Sequence, residues 1–341
     1  MQTARPPGTT FSPPGSPSSY VMGAIDPGIV TYLERARQLA GRLTGVDGLS
    51  PEQRRLRADL MARLIAEPHP PGMTVHTTYV TLAGREIPIR VYRPQGDDAP
   101  RPSIVYCHGG SWIAGSPESH DFVTASLAAN TGAQVLSVHY RRAPENPYPA
   151  PTEDCYAALC WAADRGEAIG VDIARLAIAG DSAGGNLAAA CTLLARDRGG
   201  PAIRHQTLIY PTLDANLDTP SYLAGADPIV TREAMREALE AFLPNGAASA
   251  DGYALPMRAP DLRGLPPAYL SVAALDVLRD DALNYAARLE EAGVPVTVRV
   301  GAGMTHSYVR ARRLSVVAER EFQDMCAAIR AALDLPDGPC W

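Results

Sequence analysis

No segment of the chain approaches the roughly 18 consecutive apolar residues needed to cross a bilayer as a helix, so no membrane span is expected. The N-terminal stretch has no charged region followed by an apolar core, so no secretory signal is expected either. There is no run of about five or six basic residues. With a formal net charge of −6, the chain offers no electrostatic footprint for nucleic acid or an anionic membrane. No C-x-x-C pair occurs. The six cysteines, Cys107, Cys155, Cys160, Cys191, Cys326 and Cys340, are scattered, most of them among apolar neighbours. They read as buried free thiols in a reducing cytoplasm, with Cys340 near the terminus as the exposed exception. Internal repeats and coiled-coil heptads are missing as well.

What is there is a globular composition, 46% hydrophobic and 20% charged, over 341 residues. That is enough chain for one large α/β domain with insertions, or for two ordinary domains. Residues 1–22 are rich in Pro, Ser, Gly and Thr and read as a flexible arm. Asp26-Pro27 opens a helix with Ile29, Val30, Leu33, Ala36 and Ala40 at helical spacing. Ser50-Pro51-Glu52-Gln53 opens a second with a capping-box pattern and an apolar stripe of Leu56, Leu60, Leu64 and Ile65. From Thr74 to Pro94 the period changes to two on either side of Ala83-Gly84-Arg85, which predicts a β-hairpin.

Six further strand-like runs follow, at 103–107, 134–139, 175–179, 206–210, 268–272 and 296–300. Helical patterns near 121–130, 152–163, 187–196 and 280–292 separate most of them, and a last helix is expected over 313–333. A hairpin followed by alternating strands and helices predicts a mixed, mostly parallel eight-stranded sheet with helices on both faces. Sites in such sheets form at the carboxyl ends of the strands. One interval, about 212–255, is too long for a plain connection. It carries Thr231 as a helix cap and a stripe of Met235, Ala238, Leu239, Phe242 and Leu243. With the helices of 23–70 it is expected to form a helical cap over the catalytic domain, 71–341.

The chemistry centres on Gly180-Asp181-Ser182-Ala183-Gly184. An apolar strand runs into Gly-x-Ser-x-Gly and then into a small-residue helix. That pattern makes a nucleophile elbow, holding Ser182 in a strained turn with its hydroxyl exposed; taken alone, it would also fit a glycine-rich turn. Such a serine needs a base, an acid and oxyanion donors. Where the elbow works, the acid and then the histidine follow it in the chain. His205 precedes every plausible acid, which leaves His306 in the loop after the last strand. Asp276 leaves the end of the preceding strand and ranks ahead of Asp280, whose bland role is charge in the first turn of a helix. His108-Gly109-Gly110-Ser111 follows the strand at 103 and fits the loop that completes an oxyanion hole with the Ala183 N–H. His108 reads as structural, holding that loop. A metal on His108, His120 and Asp121 lacks a recognised spacing, and neither metal nor cofactor is expected.

The chain resembles the hormone-sensitive-lipase-like (family IV) bacterial carboxylesterases of the α/β-hydrolase superfamily. The resemblance rests on six segments in family order: the fourteen residues from His108 to Asp121, Tyr140-Arg141-Arg142-Ala143-Pro144-Glu145-Asn146-Pro147, Gly180 to Asn186, Gly264-Leu265-Pro266-Pro267-Ala268, Asp276 to Asp281, and Gly303-Met304-Thr305-His306. It implies a triad of Ser182, Asp276 and His306, an oxyanion hole from Gly109, Gly110, Ser111 and Ala183, and a small-molecule ester substrate. Homodimers are common in the family. Two departures stand out. Ser111 occupies the place of a third glycine, and Ser307-Tyr308 replaces Gly-Phe, which brings hydroxyls toward the pocket. An amidase, carbamate hydrolase or lactonase would use the same triad, and a ligand receptor on this fold would have lost one of its members. A cap rich in Ala and Leu points to an apolar ester, with acyl groups of short to medium length.

Overall fold

A computed structural model describes residues 24–40, 50–63, 65–66, 68–96 and 98–336. The arm of residues 1–22, Leu64 and Cys340 lie outside them. The hairpin pairs β1 (Thr74–Leu82) with β2 (Arg85–Arg93) in antiparallel register from Thr74↔Arg93 to Leu82↔Arg85. Then come β3 (Arg101–Cys107), β4 (Gln134–Val138), β5 (Val171–Asp181), β6 (His205–Ile209), β7 (Ala268–Ala273) and β8 (Val296–Gly301). All eight form one sheet in the order β1-β2-β4-β3-β5-β6-β7-β8, parallel from β4 onward. The predicted mixed α/β sheet is thus observed.

Successive residues of the central strands face opposite sides, as the pleat requires. Val105, Ile178, Leu208 and Leu270 point into one core with α4 (Ala150–Arg165), α5 (Ala183–Asp197) and α8 (Arg279–Glu291). Ile104, Ala177, Ile209 and Tyr269 point into the other with α1 (Pro27–Ala40), α3 (Asp121–Thr131) and α9 (Val316–Ala332). Both faces being covered explains why these strands read as near-continuous apolar runs.

Several local expectations need correction. The elbow helix α5 starts at Ala183, directly after the serine, and not at Leu187, because the turn itself supplies the helix start. Thirteen of its fifteen residues are buried. The last helix starts at Val316, where Ser315 caps it by accepting the Ala318 N–H, and not at Arg313. In α1 it is Tyr32, with Ile29, that is buried, while Val30 faces outward. The capping box of α2 (Pro51–Arg63) forms as expected: Gln53 N–H donates to Ser50 Oγ, and Ser50 N–H donates to Gln53 Oε1. Of its expected stripe, Leu56 is 57% exposed, Leu60 is half-buried, and Ile65, past the helix end, packs against the core. The helix is held instead by Arg55, whose guanidinium donates to the carbonyls of Ile113 and Ala143 and to the Glu145 carboxylate. In the insertion, α6 (Pro220–Ala224) precedes α7 (Arg232–Phe242), and Thr231 caps α7 by accepting the Ala234 N–H. The apolar face of α7 joins the main core, where Phe242 stacks on Trp112 at 4.2 Å between ring centroids.

Candidate active site

The site sits where β3, β5, β7 and β8 end. At the tip of β5, Ser182 has φ 57° and ψ −121°, a conformation that costs about 1–3 kcal/mol and survives only because its surroundings fix it. Ser182 N–H donates to Ile209 O at 2.8 Å, anchoring the elbow to β6. The motif glycines make the turn possible. A Cβ on Gly184 would stand 2.0 Å from Cys107 O, and one on Gly180 would stand 2.2 Å from Gly184 O.

His306, in the loop after β8, brings Nε2 within 2.9 Å of Ser182 Oγ. Its Nδ1 lies 2.7 Å from Asp276 Oδ2 at the end of β7. The carboxylate can only accept, so Nδ1 carries the proton and Nε2 is the acceptor for the serine hydroxyl. Asp276 is fixed by the Leu278 N–H on its other oxygen at 2.9 Å. Burial by itself disfavours the imidazolium, but the Asp276 charge and hydrogen bond, together with Asp227 and Asp181, outweigh it and hold the His306 pKa above the ordinary value. Asp280 makes no contact with His306. It accepts the Ser221 N–H at 2.8 Å and pairs with Arg279, while Asp281 accepts the N–H groups of Leu213 and Asp214. The two carboxylates therefore do more than complement a helix dipole: they tie the 212–255 segment to α8.

Across from the elbow, Gly110 has φ 126° and Ser111 φ 56°. Ser111 thus adopts the left-handed backbone that a glycine would take more cheaply. The N–H groups of Gly110, Ser111 and Ala183 have no acceptor among the described residues. Gly109 must be corrected. Its N–H donates to Asp181 Oδ1 at 2.9 Å, so that donor is already taken by the buried carboxylate and is not free for an oxyanion. The same oxygen accepts from Tyr106 Oη at 2.7 Å, and Oδ2 lies 3.3 Å from His120 Nε2. Burial would raise the Asp181 carboxyl, but its interactions with His120, Arg310 and Tyr106 hold it below the usual carboxylate range. Asp181 is therefore the fastening between the elbow and the His-Gly-Gly loop.

His108 stacks on Tyr140 at 4.2 Å, and its Nδ1 lies 2.9 Å from Gly109 O. Tyr140 Oη donates to His108 O, so the structural role expected for this loop is met by both residues. His120 and Asp121 diverge: the Asp121 carboxylate is occupied by His69, Tyr92 and Arg90. Of the two departures after His306, Ser307 lines the cavity, but the Tyr308 hydroxyl is turned to Ser271 of β7.

One residue escaped sequence reasoning. Asp227, buried in the 212–255 segment, accepts the backbone N–H of His306 on one oxygen, and those of Ile229 and Val230 on the other at 2.7 and 3.0 Å. Asp227-Pro228 is legible as a turn; the partner 79 positions away is not. Burial first, and then the Asp276 charge, raises its own carboxyl pKa. Ser182 opens into a cavity of about 370 Å³ whose apolar lining includes Met61, Ile113, Ile229 and Val230.

The comparisons decide the family. A model described as alpha/beta hydrolase fold matches residues 104–310. The chain belongs to the hormone-sensitive-lipase-like carboxylesterases of the α/β-hydrolase family. It is 42% identical to the carboxylesterase NlhH of Mycobacterium tuberculosis over 253 residues, 73% of this chain and 79% of that one. It is 32% identical to an ethyl acetate hydrolase of Pseudomonas putida over 294 residues, 84% of this chain and 92% of that one. The crystal structure of a thermostable esterase from Pseudomonas putida superposes with a TM-score of 0.85 at 32% identity, covering 95% of this chain and 100% of the other. Among the described residues, no helix is long and apolar enough to cross a membrane.

Proposed function

We infer that this carboxylesterase cleaves small esters through a covalent acyl-enzyme on Ser182. The observation that carries this reading is the unbroken relay from Asp276 through His306 to the Ser182 hydroxyl. His306 Nε2 takes the hydroxyl proton as Ser182 Oγ attacks the ester carbonyl, and Asp276 holds the imidazole in the tautomer that leaves Nε2 free. Charge gathering on the carbonyl oxygen is met by the N–H groups of Ala183, Gly110 and Ser111, each worth about 10²–10³ in rate. His306 then protonates the departing alcohol, and water repeats the attack to release the acid. The helices of residues 24–63 and the 212–255 segment serve as the cap: Met61 from one and Ile229 and Val230 from the other bound the cavity. The buried free thiols agree with a cytoplasmic site of action.

A cavity of this size, and likeness to an ethyl acetate hydrolase, favour short to medium acyl groups. With p-nitrophenyl esters graded from acetate to palmitate, kcat/KM is expected to peak between acetate and octanoate and to collapse at palmitate. A fluorophosphonate should label the peptide bearing Ser182 and abolish turnover. Labelling elsewhere with activity lost would displace Ser182 from its role, and labelling without ester turnover would point to amides, carbamates or lactones.

Asp227 positions His306 and adds negative charge near it. Because His306 must be neutral to accept a proton, activity is present above its raised pKa and lost below it. Asp227→Asn removes one of the charges that raise that pKa, so the acid limb of kcat/KM is expected to move to lower pH. Weakening a buried charge-assisted hydrogen bond should also lower kcat by about tenfold. A pH–rate profile reads both; an acid limb that stays in place would refute the coupling.

A further inference from the structure

The wall above Ser182 is basic. Arg54 and Arg57 of α2 and Arg310 of the turn after β8 line the same cavity as Ser182, and Asp181 is the one carboxylate among the described lining residues. Asp181 offsets part of the Arg310 charge, but its oxygens are bonded to Tyr106, Gly109 and His120 and pair with neither Arg54 nor Arg57. Arg310 donates to Ser119 O at 3.3 Å and lies 3.1 Å from His120 Nε2. Arg54 pairs with Glu237 at 2.7 Å, with both side chains a third or more exposed, the kind of pair that water and salt weaken. Arg57 has no ion pair or hydrogen bond among the described residues. Leu56 of α2 faces solvent, and Arg54 and Arg57 of the same helix line the cavity.

A guanidinium held over a partly enclosed cavity, with no partner among the described residues, gives up hydration that an anion would restore. Beside it, Met61, Ile113, Ile229 and Val230 offer surface for methylene groups. An apolar stem with a charged tip matches both features. The net charge of −6 does not oppose this: surface charges more than about 10 Å away are largely screened at 0.1 M salt, whereas a guanidinium inside the cavity acts at contact.

We propose that the preferred substrate is an ester bearing a carboxylate, which pairs with Arg57 while Ser182 attacks the ester carbonyl. This rests on the esterase reading above and narrows its substrate class. The bond broken is the ester C–O bond, with water supplying OH to the acyl carbon and H to the alcohol. The second carboxylate is a spectator held by the guanidinium fork. It sits on the acyl part in a half-ester of a dicarboxylic acid, or on the alcohol part in an O-acylated hydroxy acid.

The test compares the charged ester with its neutral counterpart in two pairs. Mono-p-nitrophenyl glutarate against p-nitrophenyl pentanoate places the charge on the acyl side. Acetoxybenzoate against acetoxybenzamide places it on the alcohol side. In at least one pair, the charged ester is expected to have about tenfold higher kcat/KM at low ionic strength, and the preference should shrink as salt is added. Arg57→Gln should cut the charged-to-neutral ratio about tenfold, and Arg57→Lys should retain most of it. Turnover of the neutral esters with no preference for charge in either pair, or a ratio unmoved in Arg57→Gln, overturns the proposal and leaves the esterase reading standing. Turnover of neither kind of ester overturns both.

Discussion

Replacing Ser182 by alanine is expected to lower kcat for short p-nitrophenyl esters by about 10⁴- to 10⁶-fold, leaving a small residue above the uncatalysed rate. The magnitude follows from what remains. The oxyanion N–H groups and the cavity still bind the ester, but no acyl-enzyme can form, and water must attack without the oriented Oγ. Folding should survive, because the change removes one oxygen and leaves the backbone hydrogen bond from residue 182 to Ile209 O in place. Alanine must adopt the same left-handed φ, so the strain already present is kept and not increased. Circular dichroism and thermal melting check the fold, and loss of fluorophosphonate labelling checks the nucleophile. A folded variant that turns over at the original rate would remove Ser182 from the mechanism.

Asp276→Asn is expected to cost about 10⁴ in kcat, because an amide in that place no longer selects the imidazole tautomer with its proton on Nδ1. It also removes the largest of the charges that raise the His306 pKa, so whatever activity is left should have its acid limb at lower pH. Asp227→Asn moves the limb the same way with a far smaller fall in kcat, which separates the residue that fixes the tautomer from one that holds the loop. The control is Asp280→Asn. Asp280 is bonded to Ser221 N–H and Arg279 and does not touch His306, so its loss should lower stability by about 1–3 kcal/mol while kcat changes little. A deeper loss of kcat in Asp280→Asn than in Asp276→Asn would reverse the assignment of the acid.

The difference between these carboxylates shows where sequence reasoning worked. Asp276 was legible because it leaves the end of a strand of recognisable pattern, and His306 because elimination left no other histidine after the acid. Strand and helix order followed from period and length, since β-pleat and helical pitch impose themselves on any buried face. Asp181 and Asp227 were harder. Asp181 fastens the His-Gly-Gly loop to the elbow and Asp227 holds the backbone of His306, and neither contact leaves a mark in the local sequence. Gly109 was given an oxyanion role for the same reason: nothing local says that its N–H is already taken by a carboxylate 72 positions along the chain.

By itself the sequence determined the sheet and its two helical layers, the strained serine turn, and the identity and order of the relay residues. Those depend on local periodicity, small residues at close approaches, and chain order. Only the tertiary structure decided which face of α2 looks down on Ser182, which backbone N–H groups stay unpaired around it, and which charges set the pKa of His306. Those depend on groups far apart in the chain meeting at hydrogen-bond distance, and on a helix held by polar contacts of Arg54, Arg55 and Asp59 with Leu56 left in solvent.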